Sequence, residues 1–181
     1  LEKLCVDGNK VKKAVVHIDT EQAPHNHYKN QSNAILKRIG MKTEPDNFYS
    51  YNIRRMDLSD RKIFTEDILG RVSYMHNGIH LVVIDGIADY ISSVNEEKSA
   101  NQIIDFFEKL AIRYKCPIIA IVHLNPGYNN KPRGHLGSQL QRKAESVLHI
   151  KKDKAEISYC EPSLLRNADK TNVPVIEFEF N

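Results

Sequence analysis

Three short apolar runs constrain the fold of this chain most, because each one ends in side chains that can do chemistry. Residues 14–21 are AVVHIDTE, residues 80–86 are HLVVIDG and residues 117–123 are PIIAIVH. Continuous β-branched runs of this length are typical of strands buried on both faces of a parallel sheet. Ligands bind such sheets at the carboxyl ends of the strands. We therefore expect the two carboxylates and the imidazole that end these runs to line one crevice.

Strand and helix patterns alternate along the rest of the chain, which predicts a parallel α/β sheet with right-handed crossovers. Closely spaced strands near the carboxyl end predict an antiparallel extension of that sheet. Residues 124–136, which include two prolines and two glycines, are predicted to form a mobile surface loop. The predicted strands are 13–19, 48–53, 81–84, 117–122, 146–150, 156–159 and 173–180. The predicted helices are 1–6, 24–39, 59–72 with Ser59 as the cap, 103–111 and 138–144.

Composition limits the class of protein. The 181 residues, 41% of them hydrophobic, are enough for one core, and no composition break divides residues 1–181 into two domains. The net charge of +3 is too small to indicate nucleic-acid binding by itself. Three widely spaced cysteines do not form a disulfide framework, which favours a reducing cytoplasm. No apolar run approaches the roughly 20 residues that span a bilayer, so no membrane association is expected.

Asp85 follows four apolar residues, which is the pattern of a Walker B strand. Such a strand fixes a carboxylate where it can hold Mg²⁺, directly or through water, against the phosphates of a nucleotide. The alternative is an Asp that caps the turn at Gly86.

Two further strand ends carry candidate residues. Asp19 and Glu21 end the first run, and a carboxylate beside a metal-bound nucleotide can polarise the attacking water. Their alternative role is to cap the helix that starts near Pro24. His123 can sense a γ-phosphate, because a neutral imidazole both donates and accepts a hydrogen bond. Its alternative is a hydrogen bond that only secures the strand end.

The segment after His123 places three potential cations on a glycine-bearing loop. Lys131, Arg133 and His135 have the charge that contacts with a nucleic-acid backbone require. A solvated charged loop is the alternative. Since a loop that leaves a nucleotide-contacting strand can be moved by hydrolysis, the position of this loop favours the functional interpretation.

Taken in order, residues 18–21, 82–86, 119–123 and 133–138 resemble the ATPase core of the RecA-like family, over most of the chain. The resemblance is greatest to the RepA, KaiC and DnaB type of branch, which includes replication and mobilisation proteins of plasmids and mobilizable transposons. It implies a three-layer α/β/α core with a mainly parallel sheet.

The resemblance also implies roles for individual residues. Glu21 would activate water, Asp85 would support Mg²⁺, and His123 would contact the γ-phosphate. Asp19 and Asp85 are the candidate cofactor-binding residues, and the cofactors are ATP and Mg²⁺. The loop of about residues 124–138 would bind single-stranded DNA inside a ring or filament of identical subunits, with Lys131 and Arg133 as phosphate contacts.

Two features depart from the family pattern. Residues 164–166 resemble the segment in which a Lys-x-Arg finger reaches the ATP of the neighbouring subunit, but they keep only Arg166, with Leu164 in the place of the lysine. No Gly-x-x-x-x-Gly-Lys-Ser/Thr loop, whose amides and lysine cradle phosphates, occurs in the 181 residues. We expect that the chain starts just after that loop, or that it is a natural pseudo-ATPase, and that by itself it binds ATP weakly and hydrolyses little.

The leading hypothesis is the core of an oligomeric, ATP-dependent motor or helicase-like protein that acts on DNA during replication or mobilisation of a mobile element. The second is a non-catalytic RecA-like module for assembly or DNA binding. The third is a metal-dependent phosphoryl hydrolase that uses Asp19, Glu21 and Asp85 around Mg²⁺.

Overall fold

A computed structural model describes residues 9–29, 35–38, 40–124, 132–153 and 155–178, without the side chains at positions 28 and 38. Within these residues the chain forms two sheets and the helices that connect their strands. The strands are β1 (Ala14–Asp19), β2 (Phe48–Asn52), β3 (Ile79–Asp85), β4 (Ile118–Ile121), β5 (Ser146–Lys152), β6 (Ser158–Leu165) and β7 (Ile176–Phe178). The helices are α1 (Pro24–Lys29), α2 (Leu36–Arg38), α3 (Leu58–Met75), α4 (Glu97–Tyr114) and α5 (Gly134–Lys143), and short 3₁₀ turns cover Ile87–Tyr90 and Lys170–Asn172.

The first sheet is parallel and has the strand order β2-β1-β3-β4. Among the described residues, strands β5, β6 and β7 form a separate antiparallel sheet, and no strand pairing joins it to the parallel sheet, so the prediction that these strands extend the parallel sheet was wrong. The prediction of an α/β fold with a mainly parallel sheet and antiparallel strands at the carboxyl end is confirmed.

Helices cover the parallel sheet according to the direction of each crossover. From β2 to β3 and from β3 to β4 the chain moves the same way across the sheet, so right-handed crossovers place α3 and α4 on one face. From β1 to β2 it moves the opposite way, which places α1 on the other face. The core lies on the α3 and α4 side, where alternate strand residues such as Val16, Ile18, Val82 and Ile84 are fully buried.

The opposite face carries polar side chains at the carboxyl ends of the strands. His17 and Asp19 of β1 pair with Ser50 and Asn52 of β2, and Asp19 also pairs with Asp85 of β3. Paired residues of parallel strands point to the same side of the sheet. The parallel register therefore collects these polar groups at one edge.

Burial on both faces is not found for β4. Ile119 and Ile121 are 50% and 39% exposed, because none of the described residues covers their side of the strand. In that part of the structure β4 is hydrogen-bonded to β3 alone. It is therefore an edge strand with an exposed apolar face.

Several predicted boundaries were wrong. The helix predicted for 24–39 starts at Pro24 but is described as α1 and the short α2, while residues 30–34 and 39, like the helix predicted at 1–6, lie outside the described residues. Helix α3 starts at Leu58, and its N-cap is Asp57, two residues before the predicted cap Ser59. Helix α5 starts at Gly134, inside the segment predicted as loop, because Leu136 is fully buried and Leu140 packs on the same core one turn later.

The antiparallel strands also differ from their predicted limits. Strand β5 continues past residue 150 to Lys152, and β6 starts later than predicted and reaches Leu165. Strand β7 covers Ile176–Phe178. None of the helices in the described residues is both long enough and apolar enough to cross a membrane.

Candidate functional site

Glu21 and His123 meet at the carboxyl edge of the parallel sheet, although 102 residues separate them in the sequence. The Nε2 atom of His123 lies 3.0 Å from Oε1 and 2.9 Å from Oε2 of Glu21. The Glu21 side chain is 33% exposed and the His123 side chain 68%, so both are open to solvent. The structure thus brings together two of the three residues that were expected to act on water, Mg²⁺ and the γ-phosphate.

Asp85 ends β3, and its backbone carbonyl accepts a hydrogen bond from the hydroxyl of Thr20, the residue before Glu21. Its side chain is 24% exposed, and its Oδ2 lies 3.9 Å from Nε2 of His17. Among the described residues, no group donates a hydrogen bond to the Asp85 carboxylate. A partly buried carboxylate in that condition is a suitable ligand for a cation.

The turn after Asp85 is packed against the Glu21 segment. Gly86 has φ of 100°, and a Cβ atom there would lie 2.2 Å from Oγ1 of Thr20 and 2.7 Å from Cγ of Glu21. The Thr20 hydroxyl lies 3.0 Å from the carbonyl oxygens of both Asp85 and Gly86, and it donates to them. A glycine at position 86 therefore permits the close approach that sets Glu21 beside Asp85.

Asp19 is fully buried, and its carboxylate is surrounded by donors from the chain itself. Oδ1 accepts hydrogen bonds from the backbone N–H groups of Glu21 and Gln22, at 2.9 and 3.0 Å. Oδ2 lies 2.7 Å from Nδ1 of His27 and accepts from the Asn52 amide at 2.8 Å. Burial alone would raise the pKa of Asp19, but the hydrogen bonds from Gln22, Asn52, Glu21 and His27 outweigh it and lower that pKa.

The Asp19 carboxylate therefore fixes the turn that carries Glu21. The Glu21 carbonyl, in addition, accepts a hydrogen bond from Arg54 at 2.7 Å. For Asp19 the sequence left two roles open, one beside a metal-bound nucleotide and one as a helix cap, and the observed geometry is closer to the second. Asp19 caps the turn at Glu21 and Gln22, however, and not the helix that follows.

The loop after His123 has a well-defined base. The His123 carbonyl accepts a hydrogen bond from the backbone N–H of Arg133 at 3.2 Å, and Leu124 forms an antiparallel bridge with Pro132. Arg133 and His135 are exposed, whereas Lys131 lies outside the described residues. The base of the loop is thus joined directly to the residue that contacts Glu21.

Arg166 lies at the end of β6, where it contacts the end of α5. Its Nε donates to the carbonyl of Ala144 at 2.8 Å, and its guanidinium also donates to the carbonyl of Arg142. These are bonds that cap a helix C-terminus. A role for Arg166 on a neighbouring subunit stays a prediction, and it would require the side chain to leave these carbonyls.

Sequence reasoning missed the residues that hold the site in place, namely Thr20, His27, Ser50, Asn52 and Arg54. Gly86 directly after Asp85 is a local signal of close packing. The contacts of His27 and Ser50, by contrast, join separate elements and have no spacing signature. The described residues contain no group of three His, Cys, Asp or Glu side chains that could hold a metal by themselves.

Strand order, helix placement and the polar carboxyl edge together define a RecA-like α/β fold. In agreement with this, the structure is similar to the crystal structure of the RadB recombinase, with a TM-score of 0.57 over 94% of this chain and 76% of that one. Only 12% of the residues are identical, so the likeness shows the fold alone. No protein-family model and no curated protein matches the sequence.

Proposed function

We propose that this chain is the core of an oligomeric, ATP-dependent motor that acts on DNA, serving replication or mobilisation of a plasmid or transposon. The observation that carries the proposal is the contact between Glu21 and His123 beside Asp85, at the carboxyl edge of a RecA-like sheet. Ligands of open α/β sheets bind at this edge.

Glu21 is suited to act as the general base. Its backbone is held on both sides, by Asp19 through the N–H and by Arg54 through the carbonyl. Its carboxylate is exposed enough to reach a water molecule and can accept a proton from it. His123 orients that carboxylate through its hydrogen bond. Because the ring lies at the edge where ligands bind, it can also leave Glu21 and form a hydrogen bond with a phosphate oxygen instead.

Asp85 fits Mg²⁺ as a single protein ligand, since Mg²⁺ in nucleotide sites is usually held by one or two carboxylates together with water and phosphates. The fit rests on the absence of competing donors at Asp85 among the described residues. When bound, Mg²⁺ neutralises charge on the phosphates. Asp19, by contrast, is proposed to position Glu21 and not to contact the cofactor, because both its oxygens already accept hydrogen bonds.

Phosphate binding requires a P-loop that these 181 residues do not contain. We propose that another segment of the protein supplies it, and that this segment packs beside β4. The unpaired edge of β4 in the described structure and the exposed Ile119 and Ile121 support this placement. Experiments on ATP therefore use the longest natural form of the protein that contains this chain, and the expected result is Mg²⁺-dependent release of phosphate from ATP.

The loop after His123 is proposed to contact single-stranded DNA. Its base is hydrogen-bonded to His123, so a change at the Glu21 and His123 pair can be transmitted to the loop. Arg133 is exposed at that base and makes no side-chain hydrogen bond or ion pair in the described structure.

The substitution Arg133→Ala should weaken binding to single-stranded DNA of every sequence. It should also reduce the magnitude of the slope of log K against log salt concentration by about one, because one phosphate contact is lost. Fluorescence anisotropy over a salt series measures this. Arg71→Ala is the matched control, because Arg71 is exposed on α3 and, in the described part of the chain, pairs with Asp67 alone. Equal salt slopes for Arg133→Ala and the unmodified protein would remove Arg133 from the proposed DNA contact.

A second candidate, a non-catalytic RecA-like module for assembly or DNA binding, is favoured by the missing P-loop motif. It predicts that Glu21→Gln and Asp85→Asn leave function unchanged, while Arg133→Ala still weakens DNA binding. Phosphate release that depends on Glu21 therefore separates the two candidates.

A further inference from the structure

The guanidinium group of Arg61, near the start of α3, donates hydrogen bonds to three backbone carbonyl groups in two different segments. Nε donates to the carbonyl of Met56 at 3.1 Å and Nη2 to the carbonyl of Arg54 at 3.2 Å, both in the loop between β2 and α3. Nη1 donates to the carbonyl of Asp89, which lies in the 3₁₀ turn after β3. One side chain of α3 therefore joins the loop after β2 to the turn after β3.

Three carbonyl groups in these directions suit an arginine in particular. The guanidinium is a rigid planar fork with five N–H donors and a permanent positive charge, so it can bind several acceptors at once. A lysine has one ammonium group on a flexible stem, and it cannot reproduce this fork. Arg61 is also only half exposed, which makes its hydrogen bonds to the backbone harder for water to replace.

The loop that Arg61 binds leads directly to Glu21. Arg54, whose backbone carbonyl Arg61 holds, donates from its own guanidinium to the carbonyl of Glu21 at 2.7 Å. The next residue toward β2, Ile53, donates its backbone N–H to the carbonyl of Asp19 at 2.8 Å. The loop after β2 thus supports the backbone of Glu21, while the Glu21 carboxylate is left to face solvent.

The turn after β3 is anchored to the same part of α3 by a second contact. The hydroxyl groups of Tyr90 and Thr65 lie 2.8 Å apart, and Thr65 donates to the carbonyl of Arg61 at 2.7 Å. Tyr90 and Thr65 are both buried. This turn follows Gly86, where a Cβ atom would lie 2.7 Å from the Glu21 side chain. Arg61 therefore fixes the two segments between which Glu21 lies.

We propose that Arg61 is a positioning residue for Glu21, and that it acts through Arg54. By holding the Arg54 backbone, Arg61 keeps the Arg54 guanidinium on the Glu21 carbonyl and so fixes the turn that presents the Glu21 carboxylate. The inference rests on the proposed role of Glu21 as the general base and extends it to a residue on a helix. Arg61 itself contacts neither Glu21 nor its carboxylate.

Hydrogen exchange of the Glu21 amide tests this in the ¹⁵N-labelled 181-residue chain, without ATP. That N–H donates to the Asp19 carboxylate, and it exchanges with solvent only when the turn opens. Arg61→Lys should raise its exchange rate about tenfold, the effect of losing one hydrogen bond to a charged group. Arg54→Ala should have the same effect, and the double variant should exchange no faster than Arg54→Ala alone.

Two controls separate this local effect from a general loss of stability. The amide of Val82 donates to the carbonyl of Pro117 between β3 and β4, and its exchange should be unchanged in every variant that is folded. Arg71→Lys makes the same substitution on the exposed surface of α3, and it should leave the Glu21 amide unchanged.

Steady-state phosphate release in the longest natural form of the protein is the second readout. Arg61→Lys should lower kcat by about tenfold and leave the KM for ATP unchanged, because a displaced base weakens only the transition state. Arg54→Ala should lower kcat to the same level, and combining the two substitutions should add nothing. A purely structural role for Arg61 would instead give effects that add in the double variant.

An unchanged Glu21 amide in folded Arg61→Lys would overturn the proposal, and so would additive effects or faster exchange without a lower kcat. If Arg61→Lys also exposes the Val82 amide, Arg54→Ala decides, and an unchanged Glu21 amide there overturns the proposal. These outcomes are separate from the fate of the proposed function. With no phosphate release even in the unmodified protein, the function fails and the amide exchange alone decides the inference. Phosphate release with a Glu21 amide indifferent to Arg61 and Arg54 supports the function and removes the inference.

Discussion

Glu21→Gln should lower the rate of phosphate release from ATP by about 100-fold or more, the usual contribution of a general base. The amide of Gln cannot take a proton from water, whereas its carbonyl oxygen can still accept a hydrogen bond from His123. ATP affinity should therefore change little. The measurement is single-turnover phosphate release together with ATP binding, in the longest natural form of the protein.

The matched control for this variant is Glu66→Gln. Glu66 lies on α3 in an exposed ion pair with Arg113, well away from the strand ends in sequence and in its contacts. Its removal should leave phosphate release unchanged. Hydrolysis in Glu21→Gln at the rate of the unmodified protein would exclude Glu21 as the base. If the unmodified protein itself releases negligible phosphate from ATP, the non-catalytic candidate is favoured.

Asp19→Asn should destabilise the folded chain by about 2–4 kcal/mol at neutral pH, the cost of breaking charge-assisted hydrogen bonds at a buried site. The asparagine amide would turn an NH₂ group toward donors that now face a carboxylate oxygen. Asp19 has no exposed surface, so water cannot replace the lost partners. Urea denaturation of the 181-residue chain measures the difference.

The same substitution should change the pH dependence of stability. Because the pKa of Asp19 is lower in the folded protein than its usual value of 3.8, its ionised form stabilises the fold above that value. The stabilisation is lost as the pH falls through the folded pKa, so the difference in stability between the unmodified protein and the Asp19→Asn variant should shrink in acid. Asp67→Asn, an exposed change on α3, should stay within about 0.5 kcal/mol at every pH. A difference that is constant with pH would contradict the role given to the Asp19 charge.

The parallel sheet could be predicted from the sequence because three of its strands are apolar runs with little ambiguity. Burial by α3 and α4 gives those runs their pattern, and the carboxyl ends of parallel strands necessarily share an edge. The start of α5 could not be predicted in the same way. Pro132 and Gly134 are typical loop residues, and only the burial of Leu136 against the core shows that a helix already begins there.

The candidate site was predictable in part for a similar reason. Glu21 follows β1 and His123 follows β4, the two strands that flank β3, and the structure places their side chains in contact. The role of Asp19 could not be separated from that of Glu21 by sequence, because it depends on donors from His27 and Asn52 in other elements. Arg166 shows the same limit, because its contact with the end of α5 depends on the pairing of the end of β6 with the start of β5, which follows that helix.

Mg²⁺ and ATP are proposed to bind where the three strand ends meet. Mn²⁺ with ATP, added to ¹⁵N-labelled protein in its longest natural form, locates the metal, because paramagnetic broadening of amide signals falls off steeply with distance from it. We expect broadening at residues 19–21, 85–86 and 123, with the signals of β6 and β7 unaffected. Broadening confined to other parts of the chain, or none at saturating nucleotide, would show that Mg²⁺ and ATP bind elsewhere or not at all.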